Sequence, residues 1–399
     1  MTLTLLLDLD DTLLESNMEN FIPAYFQALS GSLQDLVSPE IMIQALLGGT
    51  KKMMENIDSE RYLSEVFDEY FYPKIGLNRK DLHSKIDKFY DDIFPDLKYL
   101  IKQRQTAIDF VNWAISEDIR VVIATNPIFP LKAVHHRLRW AGLAPEDYPY
   151  ALVTSYENSH FTKENFSYFP EILGKLGWPD GPVVMVGNDL KMDIETAITA
   201  GFPVFWVHDD IDGPIEREEI PQGRIDEVRT WLEATPIEGL QHSTQKPSAL
   251  VTTMRSIPAV LEDLLSDLND ESISYRINSD EWSIKEVVCH LRDVEIEVNL
   301  PRIQRVLTED NSFVAGVSTD PWVSERNYAR QSGKDAMQEY IKARKETIEI
   351  LDHLQLEWEK PVRHSIFGSS TLLELVSVMV GHDKVHIQQI HHVITHLQQ

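Results

Sequence analysis

The sequence holds a single cysteine, Cys289, among 399 residues. No intramolecular disulfide can form, so stability has to come from packed cores, and a reducing compartment is expected. Basic side chains are scarce, 37 against 64 acidic ones, for a formal net charge of −27. Such a field repels nucleic acid and anionic lipid, and neither is expected as a partner. An anionic substrate would need a locally positive site, such as a metal ion. No uncharged apolar stretch approaches about 18 residues, so no membrane span is expected. No basic leader precedes the first apolar run; we expect no signal peptide and a cytoplasmic location. The apolar content, 43%, is enough for two or three domains with real cores.

Short Val/Leu/Ile-rich runs recur through the first 235 residues or so: "LTLLLDL" (3–9), "RVVIAT" (120–125), "YALVTS" (150–155), "PVVMVG" (182–187) and "PVFWVH" (203–208). Apolar runs of this kind suit strands buried on both faces of a parallel sheet. Helical spacing appears between them at 104–118, 131–142, 165–178 and 193–201, with Gly142, Gly177 and Gly201 placed as C-terminal caps. This alternation predicts a doubly wound α/β core over 1–15 and 101–235. Residues 16–100 carry helical spacing without a convincing strand and predict a helical cap inserted after the first strand.

A polar linker, 236–246, precedes a second change. From 247 to 399 four long helices are predicted, at about 247–268, 283–308, 333–355 and 370–397, which suggests an all-α four-helix bundle with a long second connection.

The first strand ends in Asp8, Asp10 and Asp11, followed by Thr12. Asp8 and Asp10 share a face if the extended geometry persists. Like charges so close call for a cation or a shared proton. Asp11 reads as a turn or cap residue. Ligands of parallel α/β sheets bind outside the carboxyl ends of the strands, and other polar residues fall there too: Thr125 with Asn126, Lys163, and "GNDLKMD" from Gly187 to Asp193.

Taken in order, these residues resemble the motifs of the haloacid dehalogenase (HAD) superfamily: Asp8-x-Asp10-x-Thr12, Thr125, Lys163 and the acidic stretch ending at Asp193. The resemblance implies that Asp8 is a nucleophile toward phosphorus and Asp10 the general acid and base. It implies that Thr125 and Lys163 hold the transferring phosphoryl group. Mg²⁺ would be bound by Asp8, the Asp10 main chain and the fourth motif. That motif departs from the usual pattern, since Asn188 stands where most members have Asp; Asp189 or Asp193 would then supply the charge.

In the second half, His290 lies in one predicted helix, and His382 and His386 lie four residues apart in another. The i, i+4 spacing puts those two imidazoles on one face, and bundles commonly build metal sites from such inward side chains. "EWSIKEVVCHL", "DPW" (320–322) and "HDKVHIQQI" resemble the DinB-like superfamily, whose members are four-helix bundles with a three-histidine metal site. That resemblance implies that His290, His382 and His386 hold Zn²⁺ or Ni²⁺. Cys289 reads as a small buried residue, and His391, His392 and His396 as surface or packing residues.

The expected protein is therefore a Mg²⁺-dependent phosphatase acting on a small phosphorylated metabolite through an aspartyl-phosphate, fused to a metal-binding bundle. The bundle would also be the surface for any self-association. The alternatives are a metal- or thiol-sensing regulatory protein with weak activity in its first half, and a haloacid dehalogenase.

Overall fold

The computed structural model describes residues 2–208 and 219–398; residues 1, 209–218 and 399, which fall within the expected core and bundle ranges, lie outside the described residues. The chain divides into two compact units, Met1–Tyr168 with Asp180–His242, and Phe169–Pro179 with Ser243–Gln399.

Six parallel strands form the sheet of the first unit: β1 (Thr4–Leu7), β2 (Arg120–Ile123), β3 (Leu152–Val153), β4 (Val183–Gly187), β5 (Val204–Val207) and β6 (Gln222–Gly223). Their order is β3-β2-β1-β4-β5-β6. Leu7 lies opposite Ile123 on one side and Val186 on the other. Leu5, Leu6, Leu7, Val122, Ile123 and Val184 are all fully buried. With both faces covered, the strands read as continuous apolar runs rather than alternating ones. Strand β6 gives no such run, because two residues, Gln and Gly, carry no hydrophobic period. All strands run the same way, but the order in which the chain lays them down switches sides between β1 and β4, so the carboxyl ends of β2, β1 and β4 border one crevice.

The inserted segment after β1 is helical: α1 (Met18–Ser32), α2 (Pro39–Met54), α3 (Leu63–Ile75) and α4 (Arg79–Lys88). Side chains of Asn17, Ser38 and Asn78 cap α1, α2 and α4, satisfying amide donors that no helical carbonyl can reach. The chain leaves and re-enters the core through a two-stranded antiparallel ribbon in which Ser16 faces Ile101 and Leu14 faces Gln103. Helices α5 (Gln105–Ser116) and α6 (Leu131–Ala141) return to the sheet. Gly142 closes α6 with φ +79°, a left-handed cap that suits glycine. The segment predicted as a helix at 193–201 is instead a wide π-type turn, Leu190–Glu195, followed by one short turn, Thr196–Thr199. That at 165–178 shrinks to Tyr168–Lys175.

The second unit is built on α7 (Pro247–Leu265), α8 (Ile284–Val294), α9 (Gly333–Asp352) and α10 (Leu372–Leu397). Leu250, Met254, Ile348, Leu351, Val376 and Met379 pack together between them. The helix predicted over 283–308 passes through a π turn at Glu295–Asn299 before continuing as Leu300–Thr308. Pro301 explains the widening: it has no N–H to donate, and its ring crowds the preceding turn. A small sheet of Ser312–Val314, Pro361–His364 and Gly368–Thr371 was not expected. Strands of three or four residues are too short to leave a readable period. Among the described residues no helix is long and apolar enough to cross a membrane.

Candidate functional site

Asp8 follows β1 directly, at the carboxyl edge of the central strands. It is buried, and its Oδ1 accepts from Lys163 Nζ at 2.5 Å. The same ammonium donates to Asp193 Oδ1 at 2.6 Å. Thr12 Oγ1 stands 3.0 Å from Asp8 Oδ2 and 3.2 Å from Asn188 Oδ1. One hydroxyl therefore gathers a carboxylate oxygen and an amide oxygen, two hard donors of the type that Mg²⁺ takes. Burial works against the Lys163 charge, but Asp193 and Asp8 outweigh it and hold the ammonium above the ordinary lysine value. Asp193 is pushed up to about 7, first by burial and then by Asp8, with Lys163 opposing.

Asn188 and Asp189 have different surroundings. Asp189 Oδ1 accepts from the amides of Lys191 at 2.9 Å and Met192 at 2.8 Å, capping the wide turn. Its own amide donates to Asp193 Oδ2 at 3.0 Å. Gly187 is required here, because a Cβ at that position would collide with the Asp193 carboxylate. Thr125 is buried beyond the end of β2, and its carbonyl accepts from Thr154 Oγ1 and Tyr168 OH, each at 2.8 Å. Asn126 Oδ1 accepts from the Lys163 amide at 3.2 Å, tying the lysine's loop to the end of β2.

Asp10 faces another way. Its Oδ1 pairs with Arg137 and accepts from Ser16 Oγ at 2.9 Å. Arg137 is fully buried on α6, with its guanidinium 5.3 Å from the ring centres of both Phe21 and Phe129. Burial pulls its pKa down to about 10. Sequence reasoning missed this residue. The available signal was a charge on the face of α6 that also carries Ala133, Val134 and Ala141, all buried. Asp11 adopts φ +57° and accepts from the Ser16 amide at 2.7 Å, as a turn residue does.

In the bundle, His290 from α8 meets His382 and His386 from α10. His382 Nε2 lies 3.2 Å from His290 Nε2 and 3.1 Å from His386 Nε2. A neutral imidazole nitrogen offers either one proton or one lone pair, so one Nε2 cannot make good bonds to two others. Three lone pairs turned on one cation satisfy all three. Tetrahedral nitrogens about 2.05 Å from an ion stand about 3.3 Å apart, close to the observed spacings. The residues present therefore fit a divalent metal. Burial, helped by neighbouring histidines or Arg344, pulls His290 down to about 3 and His382 and His386 to about 4. Their lone pairs are free at neutral pH. His386 Nδ1 meets Gln389 Oε1 at 2.7 Å, which fixes that ring, and Trp282 stacks on it at 5.9 Å. Cys289 is buried, and burial raises its thiol to about 11, so it is no nucleophile at neutral pH.

Beneath the histidines sits a buried ion triad. Arg344 of α9 donates to Asp383 Oδ2 at 2.6 Å and to Glu295 Oε2 at 2.8 Å. The π turn lets Glu295 and Asn299 both point inward, bonded at 3.0 Å, while Thr347 Oγ1 donates to Glu295 Oε1 at 2.6 Å. Asp383 adjoins His382, so the triad orients the helix that carries two of the three imidazoles.

These features define two classes in one chain: a capped, doubly wound α/β unit with an acid–lysine cluster at its strand ends, and a helical bundle with a three-histidine centre. Residues 254–390 match the family model described as the DinB superfamily, and the C-terminal unit is a DinB-like domain. Over 142 residues, 35% of this chain and 81% of the relative, the sequence is 22% identical to an Oceanobacillus iheyensis protein named as a proposed metal-dependent hydrolase. YfiT from Bacillus subtilis, described as a four-helix bundle of unusual topology, is similar to 41% of this chain over 93% of its own, at 17% identity and TM-score 0.36. A HAD phosphatase from Thermococcus onnurineus is similar to 61% of this chain over 100% of its own, at 18% identity and TM-score 0.38. A 2-haloacid dehalogenase from Pseudomonas syringae is similar to 58% over 99% of its own, at 18% identity and TM-score 0.42.

Proposed function

We propose that the α/β unit hydrolyses a small phosphomonoester through an aspartyl-phosphate. The observation that carries this reading is the Asp8 carboxylate at the end of the central strand, held 2.5 Å from the Lys163 ammonium. One oxygen of Asp8 attacks phosphorus, forming a P–O bond as the bond to the alkoxide breaks. Asp10, turning from Arg137 toward the leaving group as a protonated acid, would give its proton to that alkoxide, then take one from the water that cleaves the acyl phosphate. Orthophosphate leaves and Asp8 is regenerated. Lys163 keeps the nucleophile oriented and neutralises charge on the phosphoryl oxygens, and Thr125 would bond the transferring group. Asp8, the Asp10 carbonyl and Asn188 would hold Mg²⁺, with Asp193 bound to Lys163; when bound, the ion supplies electrostatic stabilisation of the transferring group. Phosphate release from a panel of phosphorylated metabolites, with and without Mg²⁺, tests the reading. Absence of turnover across the panel would overturn it.

The second unit would hold one Zn²⁺ or Ni²⁺ on His290, His382 and His386, leaving a position open to water or substrate. Elemental analysis of the purified chain tests this directly.

A further inference from the structure

The α/β unit contains a cavity that lies apart from the acid–lysine cluster. It has a volume of about 290 Å³ and is lined by α1, α2, α3 and α4 of the cap and by the segments following β2 and β3. Asp8, Asp10, Thr125 and Lys163 are not among its walls. Tyr25, Leu29, Leu46, Phe71 and Tyr90 form much of the wall and are themselves buried, while Leu47 at its edge is exposed. A helix, about 10–12 Å across, cannot enter it, whereas the volume approaches that of small-molecule sites, about 300 Å³ and upward.

The lining states what would fit. Tyr25, Phe26, Phe67, Phe71, Tyr72 and Phe129 make it rich in aromatic faces. Of the charges at its edge, Arg79 holds Asp68 at 3.1 Å, Lys132 reaches outward to Asp91 at 2.8 Å, and Glu157 Oε2 accepts from the Leu131 amide at 2.9 Å. The hydroxyls of Tyr25 and Tyr90, two buried residues of the wall, lie 2.9 Å apart, and either can be the donor. One hydrogen makes that bond. The other hydroxyl's hydrogen has no acceptor among the described residues. A buried donor without a partner costs free energy that an oxygen-bearing ligand would recover.

We propose that this cavity is a binding site for a neutral aromatic molecule carrying one carbonyl or ether oxygen. The site is independent of the phosphatase reading, and its test needs no turnover. The full-length protein is titrated with N-phenyl-1-naphthylamine, whose fluorescence rises in apolar surroundings, and the dye is then displaced with 2-acetylnaphthalene or 2-ethylnaphthalene. We expect one saturable site, and acetyl binding about fivefold tighter than ethyl, the worth of one net hydrogen bond. Leu46→Trp fills the cavity and should weaken all three ligands at least about tenfold, as lost apolar burial requires. The double variant Tyr25→Phe/Tyr90→Phe preserves the volume and should keep dye binding while abolishing the acetyl preference; it also serves if Leu46→Trp does not fold. Several weak sites, or affinity unchanged in a folded Leu46→Trp, would overturn the location. Equal affinity for the acetyl and ethyl compounds in the wild-type protein would overturn the ligand class.

Discussion

Arg137 and Asp10 form a pair in which a fully buried guanidinium, between two phenylalanine rings, holds the carboxylate proposed as acid and base. Asp10 is thereby directed to α6 and Ser16, while Asp8, two residues earlier, is directed to Lys163. Alternation along the strand, which would have put both on one face, ends where the strand ends: Asp11 turns at positive φ. Arg137→Met keeps the bulk and removes the charge. We expect kcat to fall at least about tenfold, as loss of oriented acid–base catalysis does, with the Mg²⁺ half-saturation little changed. Steady-state kinetics on the variant check this.

Asp8→Asn should abolish turnover while leaving the fold. The amide is no nucleophile, and loss of covalent catalysis costs several orders of magnitude, roughly 10³-fold or more. Circular dichroism establishes the fold and phosphate release the activity. Near-native turnover in a folded variant would remove Asp8 from the mechanism.

Asn188→Asp should lower the Mg²⁺ concentration needed for half-maximal activity. The Asn188 amide oxygen and the Asp8 carboxylate already converge on Thr12, so the substitution adds a charge beside the proposed cation. A Mg²⁺ titration reads the shift. An unchanged half-saturation would place the cation away from Asn188.

His382→Ala should remove the transition metal and spare Mg²⁺-dependent turnover. His382 Nε2 is the atom within reach of both other imidazoles, so its loss leaves a pair too weak to retain the ion. Elemental analysis of both proteins decides; equal zinc and nickel contents would leave these histidines as packing residues.

Acid should destabilise the metal-free bundle. His290 is held down to about 3 and His382 and His386 to about 4, against an ordinary value of 6.5. Between those values the unfolded chain binds protons that the folded bundle does not. The stability of chelator-treated protein is thus fully present above about 6.5 and is lost progressively as pH falls toward 4. Urea midpoints at several pH values measure it, and the slope should be shallower in His382→Ala.

Arg344→Ala should destabilise the bundle by about 3–5 kcal/mol, because Glu295 and Asp383 would remain buried with no cation between them. Replacing all three together by apolar residues of similar volume should recover most of that loss. Urea unfolding of both variants tests the pair of expectations.

The sequence by itself determined the sheet, the inserted helices and the four long helices, because each leaves a local period of hydrophobicity or a cap that physics reads within one segment. It also placed Asp8, Thr125, Lys163 and Asn188 at strand ends, since a parallel sheet brings its carboxyl ends to one edge whatever the intervening length. Only the tertiary structure decided which of them touch. Asp189 is taken up by the amides of Lys191 and Met192, Asp193 by Lys163, and Asp10 by Arg137. Arg137 and Arg344 were not legible as partners, nor was the π turn that turns both Glu295 and Asn299 inward. A buried charge is fixed by a counter-charge on another element, 127 residues away for Arg137 (137 minus 10) and 49 for Arg344 with Glu295 (344 minus 295). No local pattern encodes that distance; desolvation makes the pairing obligatory only once the elements have packed.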